Sequence, residues 1–61
     1  MLGHWARNLR LYLELTQKEL AKRARVSQHT VDLFERNRPL TPDEKRKILT
    51  ELYIIKMRKI R

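Results

Sequence analysis

Residues 16–37 read TQKELAKRARVSQHTVDLFERN, which spells two short helices on either side of a tight turn. Thr16 followed three residues later by Glu19 is a capping box: the hydroxyl satisfies one free N–H and the carboxylate reaches back to another. In the helix that follows, Leu20, Ala21 and Ala24 face inward. Ser27 is a good N-cap for the next helix, whose inner stripe is Val31 and Phe34. At about 100° per residue, Val31 and Phe34 share one flank. Gln28, His29, Asp32, Leu33 and Arg36 occupy an arc of roughly 140° away from it. An apolar rear behind a compact polar front suits a helix laid in the major groove of DNA, where base edges meet polar side chains. The start of such a helix also favours a nearby phosphate.

Outward from this stretch, Leu2, Trp5, Ala6, Leu9 and Leu13 recur at three- and four-residue steps, the pattern of an amphipathic first helix. Leu11, Tyr12 and Leu15 add apolar area near its end, and Trp5 reads as a core residue. On the other side, Pro39 and Pro42 break the chain. Thr41 is placed to cap a fourth helix, with Pro42 at its first position and Asp43 and Glu44 in its first turn, where acids suit the positive end of the dipole. No breaker follows between Asp43 and about Lys59. The expectation is one all-α domain over residues 1–61, with four helices, no strand, and a C-terminal helix over residues 43–60.

The chain of 61 residues carries 15 Lys and Arg against 7 Asp and Glu, a formal charge of +8. That balance implies attraction to polyanions. A domain this small buries only about 60% of its unfolded surface and leaves no room for a deep cleft beside a core. It has no Cys, which excludes disulfides and thiolate metal sites. His4 and His29 lie far apart without a ligand cluster, so no metal is expected. Nothing resembles a nucleophile–base pair, paired carboxylates or a glycine-rich phosphate loop, so neither an enzyme nor a cofactor is expected. Arg7, Arg10 and Glu14 interrupt residues 1–15, which therefore do not read as a signal peptide. No apolar run approaches the ~20 residues that cross a bilayer. The expected setting is the cytoplasm.

The segment from Thr16 to Asn37 resembles the helix-turn-helix of the phage repressor and Cro family, the lambda-repressor-like type. The resemblance rests on Leu15-Thr16-Gln17, Glu19-Leu20-Ala21, Val26-Ser27-Gln28, Val31, Phe34-Glu35 and Pro42, and runs from Leu2 to about Leu52. Gln17 and Gln28 open consecutive helices in the family's register. It implies a double-stranded DNA partner, with Gln28 and His29 at base edges. There Gln28 can pair two-pronged with adenine, and Leu33 can pack on a thymine methyl. Asp32 fits either cytosine reading or the orientation of Arg36, four residues on. Gln17, Lys18 and Thr30 are implied DNA-backbone contacts, as are Arg36, Asn37 and Arg38 beyond the helix end. The family also pairs the positions of Arg10 and Glu35. This chain departs from the pattern where Glu14, Arg25 and Asn37 replace frequent glycines, so non-glycine residues must adopt positive φ or the turns must differ. Of the three, Asn tolerates the left-handed region best. The family's fifth helix is missing, and the long fourth helix takes its place.

On that fourth helix Ile48, Leu49, Leu52, Tyr53, Ile55, Met57 and Ile60 span about 200°, against ~100° for one core-facing stripe, and Ile54 lies outside even that arc. This much apolar surface implies a two-fold homodimer contact through Leu49, Leu52, Tyr53, Ile54, Met57 and Ile60. Dimers of the resembled fold read half-sites about one turn of DNA apart. The expected function is sequence-specific DNA binding by a small dimeric transcriptional regulator, a repressor acting by occupancy. The alternative is a protein-interaction module or antitoxin-like protein that docks a partner on Leu33 and the last helix. A basic amphipathic helix lying on anionic membrane is the weakest reading, and no membrane partner is expected.

Overall fold

Each of the last three helices begins where a side chain satisfies its free N–H groups. The computed structural model describes residues 2–60, with the backbone alone for Ile60. In chain order, α1 spans Leu2–Tyr12, α2 Gln17–Ala24, α3 Gln28–Glu35 and α4 Pro42–Ile60, with no strand among the described residues. The Thr16 hydroxyl accepts from the Glu19 N–H at 3.0 Å while the Glu19 carboxylate accepts from the Thr16 N–H at 2.9 Å. Ser27 Oγ accepts from the Thr30 N–H at 3.0 Å. A second reciprocal box opens α4: Thr41 Oγ1 accepts from the Glu44 N–H at 3.1 Å, and Glu44 returns the bond to the Thr41 N–H at 3.2 Å. Residues 41–44 repeat the Thr-x-x-Glu spacing of residues 16–19, so Glu44 caps the helix as well as suiting its dipole.

The helices stop in a shared way. Glu14, Arg25 and Asn37 all take left-handed backbone, at φ of 60°, 61° and 60°. Behind each, the following N–H reaches five residues back: Leu15 to Arg10 O at 3.1 Å, Val26 to Ala21 O at 3.0 Å, Arg38 to Leu33 O at 2.9 Å. This closure satisfies the last carbonyls of a helix and normally recruits glycine at the left-handed position. Glu14, Arg25 and Asn37 therefore make turns that glycine makes without strain, and carry the steric cost of a Cβ there.

The core gathers Ala6, Leu13, Leu20, Ala21, Ala24, Val31, Phe34, Ile48 and Leu52. Leu9, Leu15, Val26, Leu40, Leu49 and Ile55 pack around it, half-buried. Two expectations are corrected here. Trp5, read as core, is 43% exposed, and Leu2 is exposed with it. The buried line of α1 is instead Gly3, Ala6 and Arg10, continued by Leu13. The reason is a close approach of α1 to the end of α3. The Gly3 N–H donates to Asn37 Oδ1 at 3.0 Å, and a Cβ on Gly3 would lie 2.7 Å from that oxygen and from the Phe34 and Glu35 carbonyls. Only glycine permits this contact, and it turns the Trp5 edge of the helix outward. Leu52, assigned to a dimer face, is wholly buried beside Ile48.

Candidate nucleic-acid interface

Val31 and Phe34 are buried in α3 and anchor it, so the register of the helix decides what it offers to solvent. Gln28 and His29, at its first two positions, are exposed, while Asp32 and Leu33 are half-buried. Beyond its end Arg36, Asn37 and Arg38 are exposed, as is Lys18 on α2. The polar side chains expected at base edges and the three cations Lys18, Arg36 and Arg38 thus lie on accessible surface.

A hydrogen-bonded chain organises the rest of this face. Arg10 donates through Nε and Nη2 to Glu35 at 2.6 and 3.0 Å, with both side chains nearly enclosed. Gln17 Nε2 donates to Glu35 Oε1 at 3.2 Å and to Asp32 Oδ1 at 3.3 Å. Arg36 Nε closes the chain on Asp32 at 3.1 Å. The hydrogen bond from Gln17, then that from Arg36, holds the Asp32 carboxyl below its ordinary range. Of the two readings left open for Asp32, the pairing with Arg36 is present.

Two assignments change with this geometry. Gln17 was expected to donate to a phosphate, but both its amide hydrogens are committed to carboxylates. What remains of its side chain is a carbonyl oxygen, an acceptor with nothing to offer a phosphate. The free donors at the start of α2 are the Gln17 and Lys18 backbone N–H groups, which precede the first intrahelical bonds. Thr30, also expected on the DNA backbone, is buried. Its hydroxyl lies 2.8 Å from Ser27 Oγ and donates to Glu44 at 3.4 Å, tying α3 to α4. Asn37 keeps its amide hydrogens available because its Oδ1 serves Gly3. These engagements span 14 to 34 residues of sequence, beyond the reach of local pattern.

The expected dimer residues separate into two groups. Tyr53, Ile54 and Met57 are exposed at 59%, 38% and 46%, and with Arg58 they line one shallow depression on α4. Leu49 packs half-buried against the core and Leu52 lies within it. The Ile60 side chain lies outside the described residues. Near the end of α4, Lys59 Nζ sits 3.6 Å from Glu14 and 5.5 Å from the Tyr12 ring centre, which fastens the helix to the end of α1. No group of metal-ligating side chains occurs among the described residues, and no helix is long and apolar enough to cross a membrane. Neither a protein-family model, a curated protein nor a solved structure matches this chain.

Proposed function

We propose that this protein is a sequence-specific double-stranded DNA-binding protein of the helix-turn-helix type, acting as a homodimeric transcriptional repressor. In this reading α2 and α3 are the two helices of the motif, and α3 is the one that enters the major groove. The observation that carries it is the pairing of exposed Gln28 and His29 with buried Val31 and Phe34 on a single eight-residue helix. Amide and imidazole groups at the start of a well-anchored helix match what base edges require. Arg36, Arg38 and Lys18 supply cations around them, within a chain of formal charge +8.

Occupancy of a promoter needs no further domain, so repression is the simplest regulatory outcome. The second copy docks on Tyr53, Ile54 and Met57, which puts two α3 helices on one duplex. The same patch favours a second reading, in which it binds an unlike partner, as an antitoxin binds its toxin.

Selection of bound fragments from a random duplex library, with affinities at two salt concentrations, tests the proposal. Enrichment of an inverted repeat with half-sites about one turn apart supports both specificity and two-fold assembly. Enrichment of no sequence at either salt concentration would overturn the DNA reading and leave partner docking.

A further inference from the structure

A polar cleft lies where the His4 and Arg7 side of α1 meets the face made by α2 and α3. It is lined by the hydrogen-bonded chain of Arg10, Glu35, Gln17 and Asp32, in which Arg10 and Glu35 are buried, and by the exposed side chains of His4, Arg7 and Arg36. Both carboxylates in the cleft are spoken for: Glu35 by Arg10 and Gln17, Asp32 by Arg36 and Gln17. Arg7 stands differently. It is exposed and forms no ion pair among the described residues. Three arginines against two carboxylates leave the cleft with a surplus of one positive charge.

The cleft opens beside the proposed reading helix and borders the start of α2. With α3 in the major groove, a phosphate-lined groove wall runs past the start of α2. The Gln17 side chain has no hydrogen left to offer that wall. An uncommitted guanidinium does, and its planar fork matches phosphate oxygens.

We propose that Arg7, assisted by His4, grips a backbone phosphate of the bound duplex, so that α1 carries part of the DNA footprint. The inference rests on the DNA-binding reading and adds a contact from outside the two-helix motif. The duplex strand lies across the mouth of the cleft, with the Gln17 and Lys18 backbone N–H groups on one side of the phosphate and Arg7 on the other. Asp32 sits behind it, neutralised by Arg36.

The test compares wild type with Arg7→Ala, Arg7→Gln and His4→Ala, on a duplex recovered from the random library and on an unrelated duplex. Loss of Arg7 is expected to weaken both duplexes by the same factor, several-fold, and to lower the slope of log affinity against log salt by about 0.9. Base preference and melting temperature stay unchanged, because the side chain is exposed. Neutral methylphosphonates placed singly along the backbone should reproduce the loss at one position in wild type, and have no effect there in Arg7→Ala. Wild-type affinity and salt slope in the Arg7 variants, with Gln28→Ala still relaxing one base position, would overturn the α1 contact and spare the DNA reading. Failure of wild type to bind any duplex at low salt would overturn both.

Discussion

Arg10 and Glu35, 25 residues apart in sequence, meet as a two-pronged ion pair with side chains only 9% and 4% exposed. Arg10 also donates through Nη1 to the Leu15 carbonyl at 2.8 Å, in the turn between α1 and α2. One guanidinium therefore joins α1, the first turn and the end of α3. Through Glu35 it also sets the orientation of Gln17.

Removing one member of this pair strands a charge in a nearly water-free place. Glu35→Leu or Arg10→Met alone should cost ~3–5 kcal/mol, enough to unfold a domain whose total stability is a few kcal/mol. The double variant should recover most of that loss, because the two hydrocarbon side chains then pack together. Urea melts followed by circular dichroism measure this. A double variant no more stable than its singles would contradict the account.

Leu52 and Met57 lie on one helix and should respond in opposite ways to the same change. Leu52→Asp buries a charge in the core and is expected to abolish folding. Met57→Asp leaves the fold intact and, if a second copy docks on this face, yields a folded monomer. Sedimentation equilibrium beside a thermal melt separates the two results. A Met57→Asp protein that kept the wild-type mass would remove α4 from the dimer contact.

Backbone strain and close approach make a second contrast. Arg25→Gly relieves a Cβ at φ 61° and is expected to stabilise by about 0.5–1 kcal/mol after the entropy cost of glycine. Gly3→Ala places a Cβ 2.7 Å from two carbonyls and Asn37 Oδ1, so α1 must shift, at roughly 1–3 kcal/mol. Denaturant midpoints read both, and a stabilising Gly3→Ala would show that this approach is looser than described.

Gln28 and Arg38 should fail differently on DNA. Gln28→Ala is expected to cost about 1–3 kcal/mol on the selected duplex and to relax one base position. Arg38→Ala should weaken all sequences alike and reduce the salt slope by about one. Binding curves at several salt concentrations distinguish these patterns, and identical behaviour on random DNA would argue against base reading.

Acid should weaken the fold at three carboxylates held below their ordinary range. Glu19 is lowered chiefly by the Thr16 N–H, Asp32 by Gln17, and Asp43 by Arg46. Each group binds its proton less readily folded than unfolded. Their stabilisation is therefore complete above the ordinary carboxylate range near pH ~4 and is lost as pH falls through it toward the depressed values. Melting temperature should hold steady between pH 7 and 5 and drop below about 4. In an NMR titration the Asp32 midpoint should rise in Gln17→Ala; an unmoved midpoint would break that link.

How much of this was readable in advance depends on distance along the chain. The capping box at Thr16, the cap at Ser27 and the long run beyond Pro42 all appeared where local pattern put them. Residues three to five apart make these bonds among themselves, so they follow from residue type and spacing. The inward positions of Leu20, Val31 and Phe34 were equally plain from helical period. Arg10 with Glu35 came from likeness to a family rather than from the pattern of the chain.

What periodicity could not supply was the rotation of each helix about its own axis. A wheel drawn for α1 favours Trp5 and Leu2 because they are large and apolar, whereas packing chose Gly3, Ala6 and Arg10 because only a bare backbone comes so near α3. Likewise the amide of Gln17 and the hydroxyl of Thr30 look free in sequence but are engaged by partners 14 to 18 residues away. Four helices, and the starts of the last three, belonged to the amino-acid order, since short-range hydrogen bonds suffice to set them. Which side chains remain available to a ligand was settled only when the helices packed, because a donor can be spent on whichever acceptor the fold brings within 3 Å or so of it.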